Sequence, residues 1–91
     1  MSKVILTAQV EDGHSWEDAF RTHGDMFRAA RLGTIHYTIE DSNLIVMSVD
    51  VDDVGAYMDF MKSQETQDAM KNDGVKRDTV KVHVLDKEFS N

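Results

Sequence analysis

Apolar and polar residues alternate with period two in four stretches of this chain and recur at helical spacing in two others. From Lys3 to Val10, the residues Val4, Leu6, Ala8 and Val10 share one face and Ile5, Thr7 and Gln9 the other, which predicts a strand. Glu11-Asp12-Gly13-His14 reads as a turn. A helix is expected to open at Ser15, with Asp18 three residues on as a weak form of a reciprocal cap. Trp16, Phe20, His23, Phe27 and Ala30 form its inner stripe, and Gly33 is its expected stop. Thr34 to Glu40 alternates again and predicts a second strand, with Ile35, Tyr37 and Ile39 on one face. Asp41-Ser42-Asn43 joins it as a hairpin to a third strand, Leu44 to Val51, where Ile45, Met47, Val49 and Val51 share a face.

The stretch from Val54 to Val75 predicts a broken helix capped by Asp52 or Asp53. Val54, Tyr57, Met58 and Met61 make its apolar stripe. Ser63 restarts a shorter helix that carries Ala69 and Met70, and Asn72-Asp73-Gly74 ends it. A last strand carries Val80, Val82 and Val84 on one face and Lys81, His83 and Leu85 on the other; Lys87 to Asn91 reads as a loose tail.

The predicted order is β-α-β-β-α-β, an α+β chain of the ferredoxin-like kind: one domain with a four-stranded antiparallel sheet and two helices on one face. The uniformly apolar set (Val4, Leu6, Ala8, Ile35, Tyr37, Ile39, Ile45, Met47, Val49, Val80, Val82, Val84) should face the helices. The opposite face mixes Ile5, Leu44, Val46 and Leu85 with Thr7, Gln9, His36, Thr38, Ser48 and His83. A sheet face open to water should be mostly polar. Large aliphatics there predict that a second subunit covers it, so a homodimer is expected.

Composition narrows the function classes. The chain has 91 residues and no cysteine, which excludes a disulfide scaffold. No apolar run reaches the length of a membrane span, and the start MSKVILTAQVEDG alternates like a strand rather than a signal peptide, so a soluble cytoplasmic protein is expected. A formal net charge of −7 disfavours nucleic acid as a partner. Six methionines fill irregular cores or line adaptable pockets.

The broken-helix stretch carries a resemblance. The aromatic pair Tyr57 and Phe60, the break at Lys62-Ser63, the Ala69-Met70 turn and the exit at Gly74-Val75 resemble the dimeric α+β barrel superfamily, which includes antibiotic-biosynthesis monooxygenase-like and haem-degrading proteins. The resemblance covers nearly the whole chain. It implies two ferredoxin-like sheets packed face to face into one barrel, with helices outside, and it specifies architecture better than activity. Haem-degrading members carry a histidine where this chain has Met70 and a tryptophan where it has Phe60. They also carry a first-strand asparagine where it offers only Thr7 or Gln9. The haem-handling residues are therefore missing. The cofactorless monooxygenase branch stays open, because its catalytic residues vary between members.

Two side chains are candidates for proton transfer. His23 lies in the aromatic stripe of the first helix and can act as a base or donate to a carbonyl; equally, it can be a core histidine bonded to a neighbour. Tyr37 is expected to face the same space, with His23, a water or a ligand oxygen as partner for its hydroxyl. Phe20, Phe27, Met47, Tyr57 and Met61 would wall the gap between helices and sheet, as core or as an apolar pocket for a fatty-acid-like or polyketide-like molecule. Glu11, Asp12 and His14 end the first strand, and Asp50, Asp52 and Asp53 end the third. Those strands are expected to run parallel, which places the two clusters at the same end of the sheet. They lack a ligand-spacing motif, and no metal is expected. There is no Walker sequence, glycine-rich dinucleotide loop or cysteine nucleophile, and no cofactor is expected. Two readings remain: a non-catalytic binder of an apolar molecule, and a cofactorless monooxygenase or isomerase.

Overall fold

A computed structural model describes residues 2–91. Strand β1 is Ser2–Gln9, β2 Leu32–Ile39, β3 Leu44–Val51 and β4 Lys81–Leu85. They form one antiparallel sheet in the order β2-β3-β1-β4. The pairing of β1 with β3 runs Ser2 to Val51 and Gln9 to Leu44. The two strands are thus antiparallel, not parallel. A helix returns the chain so that β2 runs in the same direction as β1, and the tight hairpin then reverses β3. Glu11, Asp12 and His14 therefore lie at the opposite end of the sheet from Asp50, Asp52 and Asp53.

The first helical stretch is not one helix. It divides into α1 (Gly13–Phe20), a 3₁₀ turn (Arg21–His23) and α2 (Gly24–Ala29). Gly24 is a weak helix former. The Thr22 hydroxyl also donates to the Ala19 carbonyl at 2.6 Å, which favours a tightened turn. Asp12, not Ser15, is the cap: its carboxylate accepts from the Ser15 N–H at 3.1 Å. Gly13 is buried, and a Cβ there would sit 2.4 Å from Ile39 Cγ2. Nor does Gly33 stop the helix. Arg31 takes the left-handed conformation at φ 60°, and β2 begins at Leu32. Gly33 instead lies where the pairing with β3 shifts register, and a Cβ would meet Asp50 Cβ at 3.2 Å.

The second stretch follows its sequence pattern closely. Asp53 caps α3 (Val54–Lys62) by accepting from the Ala56 N–H at 3.0 Å. Ser63 leaves the helix with ψ 150° and caps α4 (Gln64–Asn72), accepting from the Thr66 N–H at 3.3 Å. Gly74 ends α4 at φ 79°. The Val75 N–H reaches back to the Met70 carbonyl at 2.9 Å, the bond of a left-handed glycine stop.

Val4, Ile45, Val49 and Val51 are almost wholly buried beneath the helices, with Trp16 and Tyr57 above them. Each buried large side chain of this kind contributes roughly 1.5–3 kcal/mol. The other sheet face is open. Its rows run His36–Ser48–Ile5–His83 and Thr38–Val46–Thr7–Lys81, with Ile5 and Val46 half-buried at their centres. Leu85 lies on this face, 48% exposed. Among the described residues, no helix is long and apolar enough to cross a membrane.

Candidate functional site

A small, partly open cavity of about 80 Å³ lies between the helices and the sheet. The sheet supplies Leu6, Ile45 and Met47 to its floor; α1 and α2 supply Phe20 and Phe27; α3 supplies Tyr57 and Met61. His23 enters from the 3₁₀ turn. Of the seven residues singled out from sequence, Phe20, His23, Phe27, Met47, Tyr57 and Met61 line this space.

Tyr37 does not line it. Its ring packs edge-on against Trp16 and Phe20, at 5.6 and 5.5 Å between centroids. Its hydroxyl passes beyond them and donates to Glu17. Arg21 completes this outer cluster, 5.7 Å above the Tyr37 ring and 3.5 Å from the Glu17 carboxylate. The bond to Tyr37, aided by Arg21, holds the Glu17 carboxyl below its usual range, against a smaller opposing effect of burial. The same bond raises the Tyr37 hydroxyl. The alternation of β2 places the ring on the helix side. It does not say how far the hydroxyl reaches. Glu17 and Arg21, an i,i+4 pair running from α1 into the 3₁₀ turn, are the available signal.

The ionisable pair of the cavity is His23 with Asp73; the buried Thr66 also lines it. His23 Nε2 lies 2.8 Å from Asp73 Oδ2, and the two side chains are 23% and 7% exposed. In the tautomer that carries its proton on Nε2, the ring donates to the carboxylate and Nδ1 is the acceptor nitrogen. The Phe27 ring stands edge-on to the imidazole at 6.1 Å. Asp73 follows α4, fifty residues from His23 in the chain, and no local spacing connects them. In the sequence it reads as part of a helix stop. The 3₁₀ turn, which ends the first helix early, is what carries His23 to this position.

Tyr57 is 3% exposed, and among the described residues its hydroxyl has no hydrogen-bond partner. No wholly buried side-chain oxygen or nitrogen is left unpaired among those residues. The Tyr57 hydroxyl therefore meets open space, and the spaces this side chain borders are the cavity and a groove beside it. In the sequence Tyr57 reads only as an apolar wall. Burial pushes its hydroxyl up to about 12. The unfolded chain, near 10, ionises first. Stability is therefore complete below pH about 10 and is lost as the pH rises to about 12, by roughly 1.4 kcal/mol for each pH unit crossed. Urea titrations across this range are expected to show a steeper loss in the native chain than in Tyr57→Phe, which keeps only the contribution of the raised Tyr37 hydroxyl.

No family model and no curated protein sequence matches the chain. Solved structures do. A candidate antibiotic biosynthesis monooxygenase from Bordetella bronchiseptica superposes with a TM-score of 0.73 at 22% identity, over 97% of each chain. An antibiotic biosynthesis monooxygenase superposes at 0.69 and 13% identity, over 97% of this chain and 99% of its own. A dimeric ferredoxin-like protein from an uncultured marine organism matches over 100% of both chains, with a TM-score of 0.57 and 12% identity. Likeness at this level of identity concerns architecture. The chain has the ferredoxin-like fold of the antibiotic biosynthesis monooxygenase-like and dimeric ferredoxin-like proteins.

Proposed function

We propose that this chain is a homodimeric small-molecule-binding protein. In this reading the half-apolar sheet faces of two copies pack together. The cavity of each copy takes an elongated, mostly apolar molecule with one polar end, shaped like a fatty acid or a polyketide-like ring system. The observation that carries the reading is the cavity lining: flat aromatic walls at Phe20, Phe27 and Tyr57, adaptable ones at Met47 and Met61, and a single ionisable pair, His23–Asp73. The dimeric fold neighbour supports the assembly.

A cavity of about 80 Å³ holds far less than a drug-sized ligand, which needs about 300 Å³ or more. Binding in this reading parts the helices, and the break at Ser63 is where α3 and α4 can move separately. Met61→Trp adds bulk to the wall. We expect the environment-sensitive dye N-phenyl-1-naphthylamine to bind the native dimer and to bind Met61→Trp at least roughly tenfold more weakly, a loss of about 1.4 kcal/mol. Binding to neither protein, or equal binding to both, sinks the reading.

A second reading is favoured by the paired histidine. An imidazole held by a buried carboxylate at an apolar wall is arranged for proton transfer. The chain would then be a cofactorless monooxygenase or isomerase with His23 as base.

A further inference from the structure

A second, larger space adjoins the cavity. It is a groove of about 610 Å³ between α2 and α3, running from Arg31 past Val51 to Ser63 and Glu65. Met26, Tyr57 and Phe60 border both the groove and the cavity. These three side chains are therefore the partition between an apolar interior and an open mouth. Tyr57 is buried, whereas Met26 and Phe60 are only half-buried. Methionine, with its unbranched flexible chain, is the member best able to swing aside. Joined through that partition, the two spaces reach the size of a small-molecule site.

The mouth has a charge. Asp52, Asp53, Asp59 and Glu65 stand around it, and Arg31 is the one cation among its described lining residues. Asp53 is occupied as the cap of α3. Asp52, Asp59 and Glu65 form no ion pair among the described residues. Behind them sit the Tyr57 and Phe60 rings, with centroids 6.3 Å apart, and the Tyr57 hydroxyl, which has no partner among the described residues. Aromatic faces beside carboxylates attract an ammonium group twice over, through the ring quadrupole and through charge. The free hydroxyl can accept one N–H. A carboxylate head would meet like charge at the same place.

We propose that this groove is the entrance to the cavity, and that it selects amphiphiles whose polar end is a protonated amine, the apolar part passing Met26 and Phe60 into the interior. The inference rests on the cavity being the ligand site; it adds the route and places the charged head at the mouth, leaving His23–Asp73 to the far end of the molecule.

The test compares decylamine, decan-1-ol and decanoate as competitors of N-phenyl-1-naphthylamine on the dimer near pH 7. The expected order is amine, then alcohol, then carboxylate, with roughly tenfold or more between the ends. Asp59→Asn with Glu65→Gln should collapse that preference. Glu40→Gln with Asp41→Asn, exposed carboxylates in the β2–β3 turn, should leave it in place. Tyr57→Phe should weaken the amine more than the alcohol. Equal or tighter binding of decanoate overturns the proposal, as does equal loss of preference in both double variants, which would mean bulk charge. If the dye binds while the three competitors are indistinguishable, the head-group inference fails and the cavity reading stands. If no probe binds, both fail.

Discussion

Val46→Glu is expected to convert the proposed dimer to monomers at micromolar concentration. Val46 sits between Thr38 and Thr7 in the middle of the open sheet face, one row from Ile5. In a single chain it is half-buried and borders water, so a glutamate there is tolerated by the fold. In the proposed dimer it would be enclosed, and an unpaired buried charge costs about 3–5 kcal/mol. The symmetry of a dimer applies that cost twice, so dissociation should strengthen by roughly 10⁴-fold or more. Lys71→Glu, on the exposed side of α4, is the control and should leave the assembly unchanged. Sedimentation velocity separates the outcomes, with far-UV circular dichroism to establish that both variants are folded. A native chain that sediments as a monomer, or a Val46→Glu variant that stays dimeric, removes the sheet-face interface.

His23→Ala is expected to abolish proton transfer if the second reading holds. Asp73 holds the imidazole at Nε2, and in the tautomer protonated there Nδ1 is the nitrogen free to take a proton. The probe is deuterium uptake from solvent by 2-tetralone, an apolar ketone with acidic C–H bonds next to its carbonyl. The native protein should accelerate uptake over buffer, and His23→Ala should lose roughly 10²–10⁴-fold of that acceleration. Asp73→Asn keeps a hydrogen-bonding side chain beside the ring while removing its charge, and should fall between the two. Truncating His23 also strands a buried carboxylate, at about 1–3 kcal/mol of stability. The uptake rate must therefore be measured where the variant is folded. Equal uptake with and without His23 leaves the protein a binder and not a catalyst.

How far these features are legible in the sequence depends on the range of the interaction that fixes them. The strand β3, the cap at Ser63 and the stop at Gly74 are local: a period-two pattern, a hydroxyl and a glycine determine them within a few residues. The helix break at Arg21–His23 is local too, but its signal is only Thr22 and Gly24, weak beside a continuous aromatic stripe. Gly33 misleads because a glycine needed for close strand approach looks the same in sequence as a glycine that ends a helix. The pairing direction of β1 and β3 follows from topology and not from any residue. The site is legible in part. Six of the seven candidate side chains border the cavity because helical and strand periodicity fix facing. Asp73, the open hydroxyl of Tyr57 and the bond from Tyr37 to Glu17 are not legible, since each depends on how far a side chain reaches across the fold.

Native mass spectrometry of the freshly purified protein, with and without N-phenyl-1-naphthylamine, tests the central claim most directly, because one spectrum reports both assembly and occupancy. The chain is 10.3 kDa. The account predicts the mass of two chains and, with the probe, added mass of up to one molecule per subunit, released on collisional activation. A monomer under conditions that preserve other dimers, or a dimer that takes up no probe, would contradict it.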